Sequence, residues 1–182
     1  MEVRKIKVGY LQTNCYILIE QGNCLIIDPG DQFYSIESQI QGNAILGILI
    51  THRHPDHIGA LDQLVKTYNP QVFDKSNLTE GKHEIGPFRF EVINTPGHTE
   101  DSITFYFYDY NFMFTGDFLF YHSIGRTDMP TGNMEEMNQS LLKIKVNRDD
   151  SIEMEGRLNT KEPNPMIVIG FENNRDGYSN IK

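Results

Sequence analysis

Residues 51–59, THRHPDHIG, place three histidines and one aspartate within six positions. These residues are His52, His54, Asp56 and His57. Imidazole nitrogens and carboxylate oxygens are the ligands that hold Zn²⁺ and similar divalent metals in proteins. A solvated polar loop is the alternative, but such a dense group directly behind the apolar run AILGILI favours a metal site.

The local geometry of this motif predicts two ligand positions. While the chain stays extended after the buried strand, alternating side chains put His52 and His54 on the same side, so that one metal can contact both. Pro55 then forces a turn, and Asp56 and His57 open a helix. We therefore expect Asp56 and His57 to face a second metal position beside the first.

Two later segments repeat this arrangement of a ligand type at the end of an apolar run. FEVINTPGHT has His98 after Gly97, and NFMFTGD has Asp117 after Gly116. Each residue alone is typical of an ordinary loop or turn. A glycine beside a ligand lets the backbone approach the metal closely, and together with the first motif these segments make His98 and Asp117 candidate metal ligands.

The elements that must position these residues are mainly strands. Strand patterns cover VRKIKVGY, CYILIE, CLIIDPG, AILGILIT, QVFD, FRFEVINT, SITFYFYD, NFMFTG, SIEME and PMIVIGF. Helical patterns cover YSIESQIQG, IGALDQLVKTYNP with Ile58, Leu61, Leu64, Val65 and Tyr68, and GNMEEMNQSLLKIK with Met134, Met137, Leu141, Leu142 and Ile144. Strands interrupted by a few helices, without strict βαβ alternation, predict two mixed sheets with helices on the outside.

Composition narrows the class of protein. The 182 residues are the size of one domain, which we expect to span 1–182. A net charge of −9 without a basic stripe argues against a nucleic-acid partner. The chain shows neither a signal peptide nor an apolar run near membrane-spanning length, so we expect a cytoplasmic protein without a membrane partner. Cys15 and Cys24 are expected to be small buried thiols.

The order of the motifs resembles the metallo-β-lactamase superfamily of binuclear metal hydrolases. The motifs are His52-x-His54-x-Asp56-His57, Pro96-Gly97-His98-Thr99 and Thr115-Gly116-Asp117, and the match runs from Asp28 to about Gly132. GDFLFYHSIGRTDMPTG, residues 116–132, is similar to the glyoxalase II branch, the hydroxyacylglutathione hydrolases. Persulfide dioxygenases carry a similar Gly-Arg-Thr-Asp stretch. The resemblance implies an α+β fold, a four-layer αββα sandwich of two mixed β-sheets with the metals at one sheet edge.

The resemblance also implies two ligand sets that share one aspartate. The first metal would take His52, His54, His98 and a bridging Asp117, and the second would take Asp56, His57, Asp117 and a last histidine from a Gly-His-Gly segment. The aligned stretch has Gly156-Arg157-Leu158 instead. Arginine keeps its proton and offers no lone pair, so we expect one tight Zn²⁺ site and a weaker second one. Iron or manganese are alternatives to zinc.

Three outcomes remain open for the altered second site. The protein could hold one tight metal, complete the second site with water or with Glu153 or Glu155, or keep the fold after losing turnover. Arg157 could also stand in for the charge of the second metal by pairing with Asp56. His122 is a weaker candidate for a replacement ligand, because a loop histidine is usually solvated.

The activity implied by the resemblance is hydrolysis of a thioester, such as an S-acylglutathione, by a metal-bound hydroxide. Asp117 would bridge the metals and Asp56 would help to aim the hydroxide. A thiolate leaves without a proton, which suits a centre that has no strong general acid. Arg126 would contact the substrate, or else form a structural ion pair with Asp128. The chain is expected to carry no C-terminal helical glutathione-binding domain.

Two alternatives to a thioester hydrolase follow from the same residues. A mononuclear iron persulfide dioxygenase would use His54, His98 and Asp117 as its metal ligands. A non-catalytic relative would keep the fold while Arg157 replaces the last ligand. The expected partner is a small-molecule thioester substrate, and the expected assembly is a monomer or homodimer.

Overall fold

Strands account for most of the regular elements in the computed structural model, which describes residues 1–120, 123–146, 152–154 and 166–169. In chain order the strands are β1 (Glu2–Val8), β2 (Thr13–Glu20), β3 (Asn23–Ile27), β4 (Ala44–Leu49), β5 (Val72–Phe73), β6 (Gly81–Ile85), β7 (Phe88–Asn94), β8 (Ile103–Phe107), β9 (Phe112–Phe114), β10 (Leu119–Phe120), β11 (Ser123–Ile124), β12 (Ile152–Met154) and β13 (Met166–Ile169). The helices are α1 (Phe33–Ile40), α2 (Pro55–Ile58), α3 (Leu61–Tyr68) and α4 (Met134–Val146).

The strands form two mixed sheets and a small ribbon. The first sheet has the order β1-β2-β3-β4-β5, in which β1, β2 and β3 pair antiparallel and β3, β4 and β5 pair parallel. The second has the order β12-β13-β9-β8-β7-β6, parallel from β12 to β9 and antiparallel from β9 to β6. Strands β10 and β11 pair separately.

Side-chain alternation along β2 explains why the first sheet is covered on both faces. Tyr16 and Leu18 join an apolar cluster that also contains Phe88 and Phe105 of the second sheet, so this cluster fills the space between the sheets. Cys15 belongs to a different cluster, on the opposite face of the first sheet. Because both faces are buried, β2 is almost continuously apolar rather than alternating.

Helices cover the outer faces. Phe33 of α1 and Leu64 of α3 pack on the first sheet, and Met137 of α4 packs with Ile93 of β7 against the outer face of the second sheet. The order of layers is therefore helix, sheet, sheet, helix, which confirms the predicted αββα sandwich. Within the described residues, no helix is long and apolar enough to cross a membrane.

The prediction of one continuous helix over IGALDQLVKTYNP is wrong. The chain forms α2 and α3 with a break at Gly59 and Ala60, because the Ala60 N–H donates to the Pro29 carbonyl, at 2.9 Å. A Cβ on Gly59 would lie 2.2 Å from the Gly30 carbonyl oxygen, so the backbones touch at this point. Tyr68 is also exposed rather than buried, and its hydroxyl donates to Glu37.

Smaller differences concern single elements. Met137 and Ile144 of α4 are buried as predicted, but Met134 and Leu142 are exposed, because the covered stripe of this helix is narrower than its apolar composition indicates. Strand β6, sequence GKHEI, was not predicted, because its lysine and glutamate give it a polar edge-strand pattern. Cys15 and Cys24 are buried free thiols, as expected.

Candidate metal centre

Three imidazoles converge where β4 and β7 run into loops. Nδ1 of His54 lies 3.1 Å from Nε2 of His52 and 2.9 Å from Nε2 of His98. His52 follows β4, and His98 follows β7 after the Pro96-Gly97 turn. One ligand atom from each histidine lies within 4.8 Å of the others, so the structure brings together the three histidines of the first predicted ligand set.

Asp117, which follows β9, lies between this group and His57. Its Oδ2 is 3.5 Å from Nε2 of His98, and its Oδ1 is 3.2 Å from Nε2 of His57. His52, His57 and Asp117 form a second group with ligand atoms within 4.8 Å of one another. Asp56 Oδ2 is 3.8 Å from His57 Nε2, so all six predicted residues meet at one place.

Hydrogen bonds on the outer side of the rings determine which nitrogen faces the centre. Thr51 Oγ1 donates to Asp28 Oδ2, at 2.6 Å, so this hydroxyl can only accept from Nδ1 of His52, at 3.1 Å. Nδ1 of His52 therefore carries a proton, and Nε2 of the neutral ring has a lone pair directed at the centre. Fixing a ligand tautomer in this way is typical of the residues that surround protein metal sites.

In His98 and in His57 the proton of the neutral ring is likewise on Nδ1. Nδ1 of His98 donates to the Arg126 carbonyl, at 2.7 Å, and Nδ1 of His57 donates to Asp28 Oδ2, at 3.0 Å. A carbonyl and a carboxylate only accept, so both rings hold a proton on the outer nitrogen. In its neutral form each ring then directs the Nε2 lone pair inward.

The environment changes the pKa of several of these groups. Burial lowers the pKa of His52 and of His54, and the neighbouring imidazoles lower both further. Burial also lowers the pKa of His57, but the charges of Asp28 and Asp117 outweigh it and raise that pKa to about 10. Although burial raises the pKa of Asp117, hydrogen bonding and charge from His57 lower it overall. Without a cation, the proton on His57 balances the carboxylates around it.

The donor set fits a divalent cation. Nδ1 of His54 lies within hydrogen-bonding distance of Nε2 of His52 and of Nε2 of His98. In the neutral rings neither Nε2 can donate, so both direct a lone pair at the centre. Asp117 Oδ1 is buried, and its charge partner in the described part of the chain is Nε2 of His57, at 3.2 Å. A cation at the centre would satisfy these lone pairs together, so the group is a His/Asp metal-binding group.

Glycines allow the loops of the centre to pack closely. Gly116 has φ +52°, and a Cβ there would lie 2.2 Å from Thr51 Oγ1 and 3.3 Å from Nδ1 of His52. A Cβ on Gly125 would lie 1.7 Å from the Asp117 carbonyl oxygen. The approach of the Gly116 backbone to the metal stays a prediction; the close approach that the structure has is to Thr51, which orients His52.

Asp28 has a role that was not predicted: it is buried and orients His57 as well as Thr51. Its backbone has φ +49°, a conformation that aspartate tolerates better than most residues. The available signal was an aspartate directly after the apolar strand CLII, before Pro29. Thr13 was missed too; its hydroxyl donates to Asp56 Oδ2, at 3.0 Å.

Arg126 forms the ion pair that was one of its two predicted roles. Its Nε and Nη2 donate to the two carboxylate oxygens of Asp128, at 2.7 and 2.8 Å. Its main-chain carbonyl holds His98, so Arg126 also contributes to the centre through its backbone. The substrate-binding role remains a prediction. Arg157, Glu155, His122 and the side chain of Glu153 lie outside the described residues.

Comparison with known proteins identifies relatives of this chain. Residues 8–77 and 74–152 match the family model of the metallo-beta-lactamase superfamily. The probable metallo-hydrolase YqgX of Bacillus subtilis is 35% identical over 173 residues, covering 78% of this chain and 82% of YqgX. A hydroxyacylglutathione hydrolase of Chromohalobacter salexigens is 34% identical over 166 residues, covering 83% of this chain but only 64% of that enzyme.

Solved structures show the same fold. The B3 metallo-beta-lactamase BLEG-1 has a TM-score of 0.72 and 30% identity, covering 78% of this chain and 84% of BLEG-1. TTHA1623, in a di-iron-bound form, has a TM-score of 0.70 and 28% identity, covering 78% of this chain and 85% of TTHA1623. These neighbours agree with the two-sheet sandwich, and TTHA1623 was solved with iron bound.

Proposed function

Since the chain belongs to the metallo-β-lactamase superfamily, we propose that it is a metal-dependent hydrolase of the glyoxalase II type that cleaves a thioester such as an S-acylglutathione. The observation that carries the proposal is the convergence of the His52, His54 and His98 nitrogens beside Asp117. The hydroxyacylglutathione hydrolases among the relatives support the substrate class, although the chain spans only about two thirds of the C. salexigens enzyme.

His52, His54 and His98 would hold the first cation, and His57 with Asp56 the second, with Asp117 between them. We propose Zn²⁺, and iron or manganese also suit imidazole and carboxylate ligands. When bound, the cation acts as a Lewis acid that acidifies water towards neutrality and polarises the thioester carbonyl.

The chain's own residues orient the reactants. Asp56 is held by the Thr13 hydroxyl, and its half-buried carboxylate can accept a hydrogen bond from the attacking water. Asp28 keeps His57 oriented by accepting from its Nδ1, and the buried Thr51 does the same for His52. The leaving thiolate needs no proton from the protein, which agrees with the lack of a nearby acid among the proposed catalytic residues.

Arg126 is the proposed anchor for an anionic part of the substrate. Because Asp128 already accepts two hydrogen bonds from the guanidinium, a substrate carboxylate must compete with Asp128. Solvent screens exposed ion pairs, so they are weak, and a well-placed substrate carboxylate can displace Asp128. The ion pair and substrate binding are therefore compatible roles for one residue.

The test is metal analysis of the purified protein together with thioester and amide hydrolysis. We expect bound divalent metal, faster cleavage of an acyl-thioester than of the matching amide, and loss of both metal and activity in His98→Ala. His83→Ala is the matched control, because His83 lies on β6, where it stacks on Phe90 and hydrogen-bonds the Thr79 carbonyl. Retention of metal and activity in His98→Ala would contradict the proposal.

The same measurements separate the alternatives. His54, His98 and Asp117 lie close enough to serve as the three ligands of a mononuclear iron site. Bound iron with oxygen consumption in the presence of a persulfide would support the dioxygenase instead of the hydrolase. Bound metal without turnover of either substrate would support the non-catalytic relative.

A further inference from the structure

Arg53 lies between two of the proposed metal ligands and points away from them. Its Nε donates to Oδ2 of Asp74, at 2.8 Å, and its Nη2 donates to the same oxygen. The Arg53 side chain is 51% exposed, whereas that of Asp74 is only 6% exposed. A half-exposed arginine is thus tied to a buried carboxylate, which distinguishes this contact from the exposed ion pairs elsewhere in the described chain.

Asp74 is itself held rigidly at the end of β5. Its Oδ1 accepts from the N–H and the hydroxyl of Ser76, at 2.8 and 2.5 Å. Its main-chain N–H donates to Asn77 Oδ1, at 3.0 Å, and its carbonyl accepts from the Leu78 N–H, at 2.9 Å. The carboxylate therefore cannot swing away without breaking a turn that is bonded on several sides.

The main chain of Arg53 is held by a different part of the protein, the loop that carries His98. Its N–H donates to Oδ2 of Asp101, at 3.0 Å, and Asp101 lies three residues after His98 in the same loop. Next to it, the Ile103 N–H donates to the Thr51 carbonyl, at 2.9 Å. The loop that carries His98 and the loop that carries His52 are thus joined at Arg53.

We propose that Arg53 and Asp74 are a positioning pair that sets the affinity of His52 and His54 for a divalent cation. In an extended segment, successive side chains point to opposite sides, so holding Arg53 outward holds both flanking histidines inward. A segment that rotated freely would lose conformational entropy when the metal binds, which would weaken binding. The Arg53–Asp74 pair already holds the segment before the metal binds, so this cost is avoided. The inference rests on the proposed metal site and adds residues that do not touch the metal.

The experiment compares Zn²⁺ affinity by chelator competition in the wild type, Arg53→Met, Asp74→Asn and the double variant. Asp109→Asn is the matched control, because it breaks an Arg–Asp ion pair of 2.7 Å, with Arg89, that is away from the metal loops. Denaturant unfolding of each metal-free variant is measured in parallel. This separates a change in metal affinity from a general loss of stability.

We expect each single substitution to weaken Zn²⁺ binding about 10-fold, the usual size for groups that support metal ligands. The double variant should lose about 10-fold as well, rather than about 100-fold, because the two residues act as one unit. Arg53→Lys should retain part of the affinity, since lysine keeps the charge but not the two parallel N–H groups. The control should bind Zn²⁺ like the wild type.

Two results would overturn the proposal. Unchanged affinity in a folded Arg53→Met protein would show that the loop positions the histidines without the pair, and the half-exposed position of Arg53 makes this variant the safer one for folding. A double variant whose loss of Zn²⁺ affinity equals the product of the two single losses would show that the two residues act separately. A wild type that binds no metal would instead contradict the proposed function, so the two failures are distinguishable.

Discussion

Gly116→Ala should destabilise the protein through two separate effects. Gly116 has φ +52°, and the left-handed conformation costs a non-glycine residue roughly 1–2 kcal/mol. The new Cβ would also lie 2.2 Å from Thr51 Oγ1 and 2.7 Å from Thr51 Cβ, so Thr51 must move. Overpacking of this kind costs about 1–3 kcal/mol.

Thr51 cannot move without breaking hydrogen bonds, which would destabilise the protein further. Its N–H and hydroxyl both donate to the buried carboxylate of Asp28, at 2.8 and 2.6 Å, and the hydroxyl also accepts from His52. The two costs together lead us to expect that Gly116→Ala lowers the free energy of unfolding by about 2–5 kcal/mol. For a chain of this size, each 1 kcal/mol lowers Tm by about 2–4 °C, so the expected fall is roughly 4–20 °C.

The assay is thermal unfolding of the metal-free protein, with Gly22→Ala as the control. Gly22 has φ +76°, but a Cβ there meets no atom within 4 Å, so this variant carries the conformational cost without the steric one. Gly22→Ala should lower Tm by only about 2–8 °C, corresponding to the conformational cost of roughly 1–2 kcal/mol. Equal falls in the two variants would refute the argument that Thr51 is held rigidly against Gly116.

Three further predictions concern the metal itself. Asp28→Asn should weaken metal binding by about 10–100-fold, because Asp28 orients His57 and Thr51, and metal titration of the variant checks this. Because the pKa of His57 is raised to about 10, its metal-free ring is protonated at pH 7, so a cation on Nε2 must displace that proton. The affinity for the metal should then rise as the pH rises towards about 10. Calorimetry in buffers of different ionisation enthalpy should detect the proton that His57 releases. Metal binding that does not depend on pH would contradict this prediction. Arg157→His should increase the metal-to-protein ratio measured by elemental analysis, and an unchanged ratio would show that Arg157 does not limit the second position.

The types and spacing of residues within short segments were enough to predict that these candidate ligands lie together. Alternation on an extended chain predicted that His52 and His54 share a side, and the structure has them so, with Arg53 on the other side. Repetition of a ligand type after an apolar run predicted His98 and Asp117. Local sequence carries this information because side-chain direction over a few residues depends only on backbone conformation.

The continuity of the helices and the width of the face that each helix buries were predicted less well. Periodicity alone extended one helix through Gly59, where contact with the backbone at Gly30 ends it. Periodicity also included Tyr68 among the apolar positions of this helix, while the structure leaves it exposed and hydrogen-bonded to Glu37. Both errors arise because these positions are decided by neighbours that are distant in sequence.

The sequence by itself determined the two-sheet class, the candidate ligands and the expectation of a divalent metal, since each depends on local composition and period. Only the tertiary structure decided which nitrogen of each ring faces the centre, because that choice is made by partners far along the chain. Asp28 acts on His57 across 29 positions, and the Arg126 carbonyl acts on His98 across 28. Contacts between residues so far apart leave no periodic signal in one sequence, because only the packing of separate elements brings them within hydrogen-bonding distance.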